Sequence, residues 1–226
     1  REILPVPPLN FRDAPYVTGV TVRGCSADGS VIYGSSWDNL DFGMLYWKDG
    51  KVDWAGSDVR RIHTEINRYG EEEICVDAMR CMADLTQISP NGTWIAGTYR
   101  TEEYDKENDE VLQANYPAFF NTETKTTTVF DEYAGCVAMG VTDDGLGLIG
   151  IQGMGVNSGF IVDLASKTKV DDMLPWIRSE FGIIISEGAI HYLTPDRQKV
   201  FGAKLRYEQN GAVTTLYWYV APALNN

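Results

Sequence analysis

The sequence has few basic residues, few histidines and no long apolar run. Its 226 residues include 19 Lys and Arg against 32 Asp and Glu, a formal net charge of −13, and two His. Such an acidic surface repels phosphate backbones, so we expect no nucleic-acid partner. The apolar runs, such as residues 182–185, are far shorter than a bilayer requires. We therefore expect no membrane span.

The four cysteines do not have the spacing of a zinc site. They are Cys25, Cys75, Cys81 and Cys136. Two interpretations stay open: most of them are small buried residues in strands, or Cys75 and Cys81 form a disulfide bridge. The sequence predicts no metal site and no cofactor.

A turn motif recurs four times along the chain. Each copy has a Ser or Thr, any residue, an Asp or Asn, usually a Gly, and a second Gly eight positions after the Ser or Thr. The copies occupy residues 26–34, 89–97, 142–150 and 194–202, and Arg197 replaces the first Gly in the last. The polar side chains suit hydrogen bonds to nearby backbone and the Gly suits positive φ, so each copy predicts a β-hairpin.

An aromatic β-prone segment follows each hairpin, and in three copies a polar turn and a further short strand come next. The aromatic segments are residues 44–47, 118–120, 159–162 and 216–219. Such a unit is a four-stranded antiparallel meander, which is the blade of a propeller. The sequence predicts an all-β, β-propeller-like fold of about four blades in one domain, residues 1–226. The innermost strands, residues 20–23, 84–87, 137–141 and 189–193, should surround one axis.

Two inserted segments, residues 58–70 and 174–182, have apolar residues at helical spacing. Asp58 and Pro175 suit the start of a helix, and Gly70 and Gly182 suit its end. The sequence therefore predicts one or two short helices.

The fourth copy has no room for an outer strand after residues 217–219, whereas the β-prone residues 2–6 belong to no blade. We expect residues 3–6 to complete the fourth blade beside residues 216–219 and close the ring. The alternative is that the chain is part of a larger propeller whose earlier blades precede Arg1. Because the chain opens with Arg1, we also expect that a leader or an N-terminal region has been removed.

The second Gly of each motif falls inside a strand, where glycine is unfavourable. These residues are Gly34, Gly97, Gly150 and Gly202. We expect each to let a side chain of the adjacent blade approach the backbone closely.

The motif, together with an aromatic strand such as residues 116–120 and a turn such as residues 47–50, resembles the HAF-type extracellular repeat of bacteria. The resemblance covers all four copies, about residues 19–222. It implies a propeller-forming protein that is exported to the periplasm, the cell surface or the medium. It implies no defined biochemical role.

The connections opposite the motif turns vary in length. They are residues 37–43, 100–116, 151–159 and 206–211 within blades, and 56–80, 131–135 and 172–187 between blades. Variable loops on a rigid scaffold are common binding sites. The candidate ligand-binding residues there suit stacking and hydrogen bonding to a sugar or peptide: Trp37, His63, Tyr99, Arg100, Tyr104, Trp176, Arg178 and Tyr207. The alternative is that these rings form core over the mouth of the ring.

Two functions are compatible with this pattern. The first is a non-catalytic, exported binding or interaction module for carbohydrate or peptide. The second is a glycan hydrolase with two carboxylates at the channel mouth, which requires a buried pair about 5 to 9 Å apart. With two His and no nucleophile motif, the sequence assigns no catalytic residue.

Overall fold

The computed structural model describes residues 17–38, 42–105, 107–151, 155–182, 189–194, 199–207 and 213–222. Strands dominate this part of the chain, in four antiparallel sheets that follow one another along the sequence. The first sheet contains β1 (Val17–Cys25), β2 (Val31–Asp38), β3 (Phe42–Lys48) and β4 (Lys51–Trp54). The second contains β5 (Ser57–Ile66), β6 (Glu72–Ile88), β7 (Trp94–Asp105), β8 (Glu110–Asn121) and β9 (Thr126–Val129).

The third sheet contains β10 (Cys136–Val141), β11 (Leu146–Ile151), β12 (Gly155–Asp163) and β13 (Thr168–Asp172). The fourth contains β14 (Ala189–Leu193), β15 (Lys199–Tyr207) and β16 (Val213–Pro222). One helix, α1 (Met173–Phe181), and a short 3-10 helix, Asp131–Tyr133, connect successive sheets. We call the sheets blades 1 to 4. The predicted all-β, propeller-like fold of meandering blades is confirmed.

The motif turns have the chemistry that the sequence predicts. Ser26 Oγ accepts a hydrogen bond from the Val31 N–H at 3.0 Å and donates to Asp28 Oδ1 at 2.7 Å. In blade 2, Ser89 Oγ accepts from the Trp94 N–H at 3.0 Å. The turn glycines have positive φ, for example +73° at Gly29. Ser89 is fully buried, so its hydroxyl closes the turn from inside the protein.

Hydrogen bonds join the inner part of blade 1 to blade 2 and that of blade 2 to blade 3. The Ala27 N–H donates to Pro90 O at 2.8 Å, and the Asn91 N–H donates to Asp143 Oδ1 at 2.9 Å. Deeper in the ring, Thr86 Oγ1 donates to Ala138 O at 2.7 Å. The strand β6 contacts both β1 and β10, and β10 contacts β14. The predicted innermost strands therefore lie side by side.

Every innermost strand carries a bulge that the sequence analysis did not predict. Val22 pairs with Gly34 and Gly24 with Tyr33, so Arg23 is an extra residue in the ladder. The same irregularity leaves Thr86, Met139 and His191 as extra residues in the other blades. All four lie three positions before the motif Ser or Thr. Bulges increase strand twist, so this repeated bulge shapes the strands around the axis.

Gly34, Gly97 and Gly150 face their own blade, contrary to the expectation of contact with an adjacent blade, and the surroundings of Gly202 lie outside the described residues. A Cβ on Gly97 would lie 2.0 Å from Asp84 O, and one on Gly34 would lie 2.2 Å from Thr21 O. Both carbonyls belong to the innermost strand of the same blade, next to its bulge. The glycines therefore make room for a distorted backbone.

Blade 3 differs, because its motif turn closes one residue earlier. The Thr142 N–H donates to Leu146 O, four positions on, whereas Ser26 and Ser89 donate five positions on. Ile149 consequently occupies the register of Gly34, and a Cβ on Gly150 would meet Met139 Sδ at 2.4 Å. The four motif copies have the same spacing in the sequence, so the sequence alone does not indicate the shorter turn of blade 3.

The core consists of apolar layers between neighbouring blades. Successive residues of a strand point to opposite faces, so Phe119 and Phe120 enter two different layers. Phe120 packs on Tyr46 of blade 1, with ring centroids 5.3 Å apart, and Phe119 packs with Ile149 of blade 3. The aromatic strand of blade 2 thus connects blades 1 and 3.

One helix prediction is confirmed and the other is wrong. Met173–Phe181 is helical, buries Trp176, Ile177 and Phe181, and ends at Gly182 with φ +66°. Residues 58–70 instead contain strand β5, which pairs with β6. Gly70 has φ +81° in a hairpin turn that Asn67 stabilises through side-chain hydrogen bonds. The helical spacing was misleading because tertiary strand pairing overrides a weak helical pattern.

A Cys75–Cys81 bridge is also contradicted. Both residues lie on β6, six positions apart. That separation is about 20 Å along a strand, whereas disulfide-bonded Cα atoms lie about 4 to 7 Å apart. Cys81 and Cys136 are buried, as the other interpretation expects, and Cys25 is exposed.

Replacement of Gly97 by Val tests the close approach in the inner hairpin. The added side chain would collide with the Asp84 carbonyl, so we expect the free energy of unfolding in urea to fall by about 3 kcal/mol. Gly19→Ala is the matched control, because no atom lies within 4 Å of a Cβ built there. Equal stability of the two variants would contradict this account.

Deletion of residues 1–8 tests ring closure, which lies outside the described residues. If residues 3–6 pair beside β16, their loss exposes an aromatic strand edge and lowers the free energy of unfolding by several kcal/mol. An unchanged melting temperature would show that these residues do not complete blade 4.

Candidate functional site

The face opposite the motif turns has an uneven surface. On the motif face the hairpin turns are short and tied together: Thr122 Oγ1 donates to Gly92 O at 2.7 Å, and the Leu164 N–H donates to Gly145 O at 3.0 Å. On the opposite face blade 2 carries long β-hairpins. Structural variation is thus concentrated on the face where the sequence placed the candidate residues.

Blade 2 extends further on this face than blade 1 does. Strand β6 has 17 residues, and β7 and β8 have 12 each, whereas β2 and β3 have 8 and 7. Strand β5 pairs along the extended part of β6. We call this four-stranded projection, residues 57–81 and 100–115, the arm. Residues 100–116, expected as a loop, are therefore mostly strand.

One face of the arm is concave. Directly paired residues of an antiparallel sheet share a face, so cross-strand rows define it. From the tip inwards the rows are Ala78–Glu103–Leu112, Arg80–Thr101–Ala114 and Met82–Tyr99–Tyr116. A cavity of about 610 Å³ is lined by the first two rows, by Tyr116 and by Glu102 and Gln113 of the row between them. Met82 and Tyr99 at its base belong to the core between blades 1 and 2.

The concave face mixes charge with apolar surface. Glu103 pairs directly with Leu112, which is 52% exposed. Arg80 lies in the next row inwards, on β6. Tyr116 is partly buried and packs against the core. The face therefore offers apolar contact area with polar groups beside it, which is the usual composition of a binding cleft.

The hairpin tip between β7 and β8 is held by acidic side chains. Asp105 Oδ1 accepts the Glu107 N–H at 2.9 Å, and the hydrogen bonds from Asn108 and Glu107 lower the pKa of Asp105. The Tyr104 hydroxyl donates to Asp109, and this hydrogen bond raises the pKa of Tyr104. These carboxylates therefore organise the tip.

Three candidate residues lie on the arm. Arg100 and Tyr104 pair across the sheet with Asn115 and Val111, and they occupy the face opposite the concave one. Arg100 Nε donates to Asn115 Oδ1 at 3.4 Å. His63 is exposed on β5, with Nε2 3.8 Å from Glu65 Oε2.

The other candidates lie elsewhere. Tyr99 and Trp176 are each 6% exposed and belong to the core, so we do not carry them into the proposed site. Arg178 is exposed on α1. The backbones of Trp37 and Tyr207 lie in β2 and β15, near the ends of those strands.

Sequence reasoning missed the residues of the concave face itself. Arg80, Leu112 and Ala114 were not singled out, because residues 56–80 and 100–116 were treated as loops. A turn-forming stretch at 105–109 lies between alternating segments, and that alternation is the signal of a hairpin. This alternation of apolar and polar residues predicts a sheet that contains Leu112 and Ala114.

The carboxyl groups with shifted pKa among the described residues have lowered values. None of the buried polar side chains in the described ranges is an Asp or Glu. Hydrogen bonds lower the pKa of Asp28 to about 2, and also lower the pKa of Asp105 and Asp163. A glycosidase acid needs a raised pKa. Within the same ranges, no three His, Cys, Asp or Glu side chains are grouped to hold a metal.

The described part of the chain contains no helix of the length and hydropathy needed to cross a membrane.

Comparisons with known proteins find similarity among solved structures. No known protein family matches the sequence, and no curated protein matches it. A similar solved structure is the beta-propeller domain of the Trilobed protease from Pyrococcus furiosus, described as having an open velcro topology. The alignment covers 91% of this chain and 55% of that chain, with 13% identity and a TM-score of 0.39. The chain thus spans about half of that structure, and the propeller-like assignment rests on its own sheet topology.

Substitution of Asp109 by Asn tests the geometry of the arm tip. Asn tolerates the positive φ of 54° at this position, so the turn should persist. Loss of the negative acceptor should return the pKa of Tyr104 towards about 10. Phenolate absorbance followed against pH, with Tyr104→Phe to identify the signal, measures this change. Identical titrations before and after the substitution would contradict the contact.

Proposed function

We propose that this protein is a non-catalytic binding module that receives its ligand on the arm of blade 2. The observation that carries the proposal is the concave face of about 610 Å³ on an extension that the other described blades do not share. A meander needs only short strands to form a blade, so the extra length of β6, β7 and β8 is not required by the ring. Surface built beyond a scaffold's needs is where binding residues concentrate.

Binding is favoured over glycan hydrolysis by the state of the carboxyl groups. A hydrolase requires one acid with a raised pKa and a second carboxylate at a defined distance. Among the described residues, the carboxyl groups with shifted pKa have lowered values and lie at turns, where they accept backbone N–H groups. Their chemistry is therefore that of structural acceptors.

Export is part of the proposal and rests on the resemblance of the repeats to the HAF-type extracellular unit. The turn chemistry of Ser26, Ser89 and Thr142 supports a genuine repeat. Location in the periplasm, at the cell surface or in the medium then follows from that resemblance.

Parallel glycan and peptide arrays test the function. We expect the purified chain to bind members of at least one array and to leave bound glycans intact, as judged by reducing ends and chain length. Binding to neither array would contradict the proposal. Shortened glycans would establish the hydrolase instead.

A further inference from the structure

Exposed apolar side chains are concentrated on the arm. Seven large apolar side chains are exposed among the described residues, and five of them belong to the arm. Those five are Ile66, Tyr69, Tyr104, Val111 and Leu112. Tyr104 and Val111 lie on the face opposite the concave one, so Leu112 is the large exposed apolar residue that the described concave rows offer to a partner.

The concave face continues an interface between two blades. At its base, Met82 and Tyr99 pack against Tyr33 and Tyr46 of blade 1. Two rows further out on the same sheet face, Leu112 is 52% exposed. The sheet thus passes from a covered face to an open one without a change of register. A peptide segment bound beside Leu112 would cover the outer part of this sheet face, as blade 1 covers its inner part.

The net charge of the arm indicates the charge of its partner. Its two sequence segments, residues 57–81 and 100–115, contain twelve acidic and six basic side chains. This projection therefore holds six of the chain's thirteen net negative charges. The cavity itself is lined by Glu102, Glu103 and Arg80, which is an excess of one carboxylate, so it favours a basic partner over an acidic one.

The apolar groups favour a polypeptide over a sugar. Leu112 and Ala114 are aliphatic, whereas sugars are usually held by stacking on flat rings. Successive side chains of an extended polypeptide point to opposite faces, so an alternating sequence can place its apolar side chains on Leu112 and Ala114 and direct its charged side chains outward to the carboxylates at the rim.

We propose that the concave face of the arm docks a basic segment of a partner protein, with its apolar side chains on Leu112, Ala114 and Tyr116 and its Lys or Arg side chains beside the arm's carboxylates. This inference rests on the proposed binding function and names its ligand class.

The test uses a fluorescent octapeptide of alternating Lys and Val as probe, with alternating Glu and Val as its counterpart. Anisotropy measures the Kd for the full-length chain at 50 mM and 300 mM NaCl. We expect the Lys peptide to bind and the Glu peptide not to bind. Raising the salt should weaken binding about tenfold, because screening weakens exposed charge pairs.

Leu112→Ser should weaken binding about tenfold or more through loss of apolar contact. Val170→Ser is the matched control, since Val170 is 51% exposed on β13, outside the arm. Both variants leave the net charge unchanged, so they isolate the apolar contact. Circular dichroism melting confirms that both are folded.

Equal peptide binding by the two variants, or binding insensitive to salt, would overturn the inference. Salt-sensitive dimerisation that Leu112→Ser abolishes would identify a second copy as the occupant instead. Peptide binding that appears only after deletion of residues 1–8 would identify the chain's own N-terminal residues. Ligands found on the glycan array without any peptide binding would overturn this inference and leave the proposed binding function standing.

Discussion

The blades depend on one side-chain hydrogen bond in each motif turn, which is buried in blade 1 and partly buried in blades 2 and 3. The Ser or Thr hydroxyl accepts the N–H that opens the next strand, as in Ser89 with Trp94 at 3.0 Å. An unsatisfied buried N–H costs about 1 to 3 kcal/mol, so this hydroxyl fixes the shape of the turn. The ordered turn then presents its backbone to the next blade, where Asn91 contacts Asp143. Local turn chemistry and the packing of blades are therefore the same constraint.

Much of the fold was predictable because its turns are local. Ser, Asp and Gly within four positions determine a hairpin wherever they occur, so the blade order, the aromatic third strands and helix α1 all followed from sequence. The bulge at Arg23 and Thr86 was not predictable, since it depends on pairing with a distant strand. Strand β5 was missed for the same reason: its partner, β6, decides its structure.

The candidate site was harder to predict than the fold. The sequence placed the candidate residues on the face opposite the motif turns, because variable loops mark that face, but it could not say which way each aromatic side chain points. Tyr99 and Tyr104 lie five positions apart on one strand, yet the first is core and the second is exposed. The face to which a side chain of a strand points depends on the register of that strand with its neighbours. That register is known only from the pairing of the arm's strands in the structure. The proposed binding surface is therefore formed by residues that are paired across strands and distant in sequence.

The stacked blades should be rigid and the projecting arm more mobile, and native-state amide hydrogen exchange tests this difference most directly. The Val31 and Trp94 amides should exchange only through global unfolding, with rates unchanged by the Lys–Val peptide. The amides of the arm rows, such as those of Thr101 and Leu112, should exchange faster in the free protein and slow when the peptide is added. Protection of the motif-turn amides by the peptide, with no change on the arm, would contradict the account.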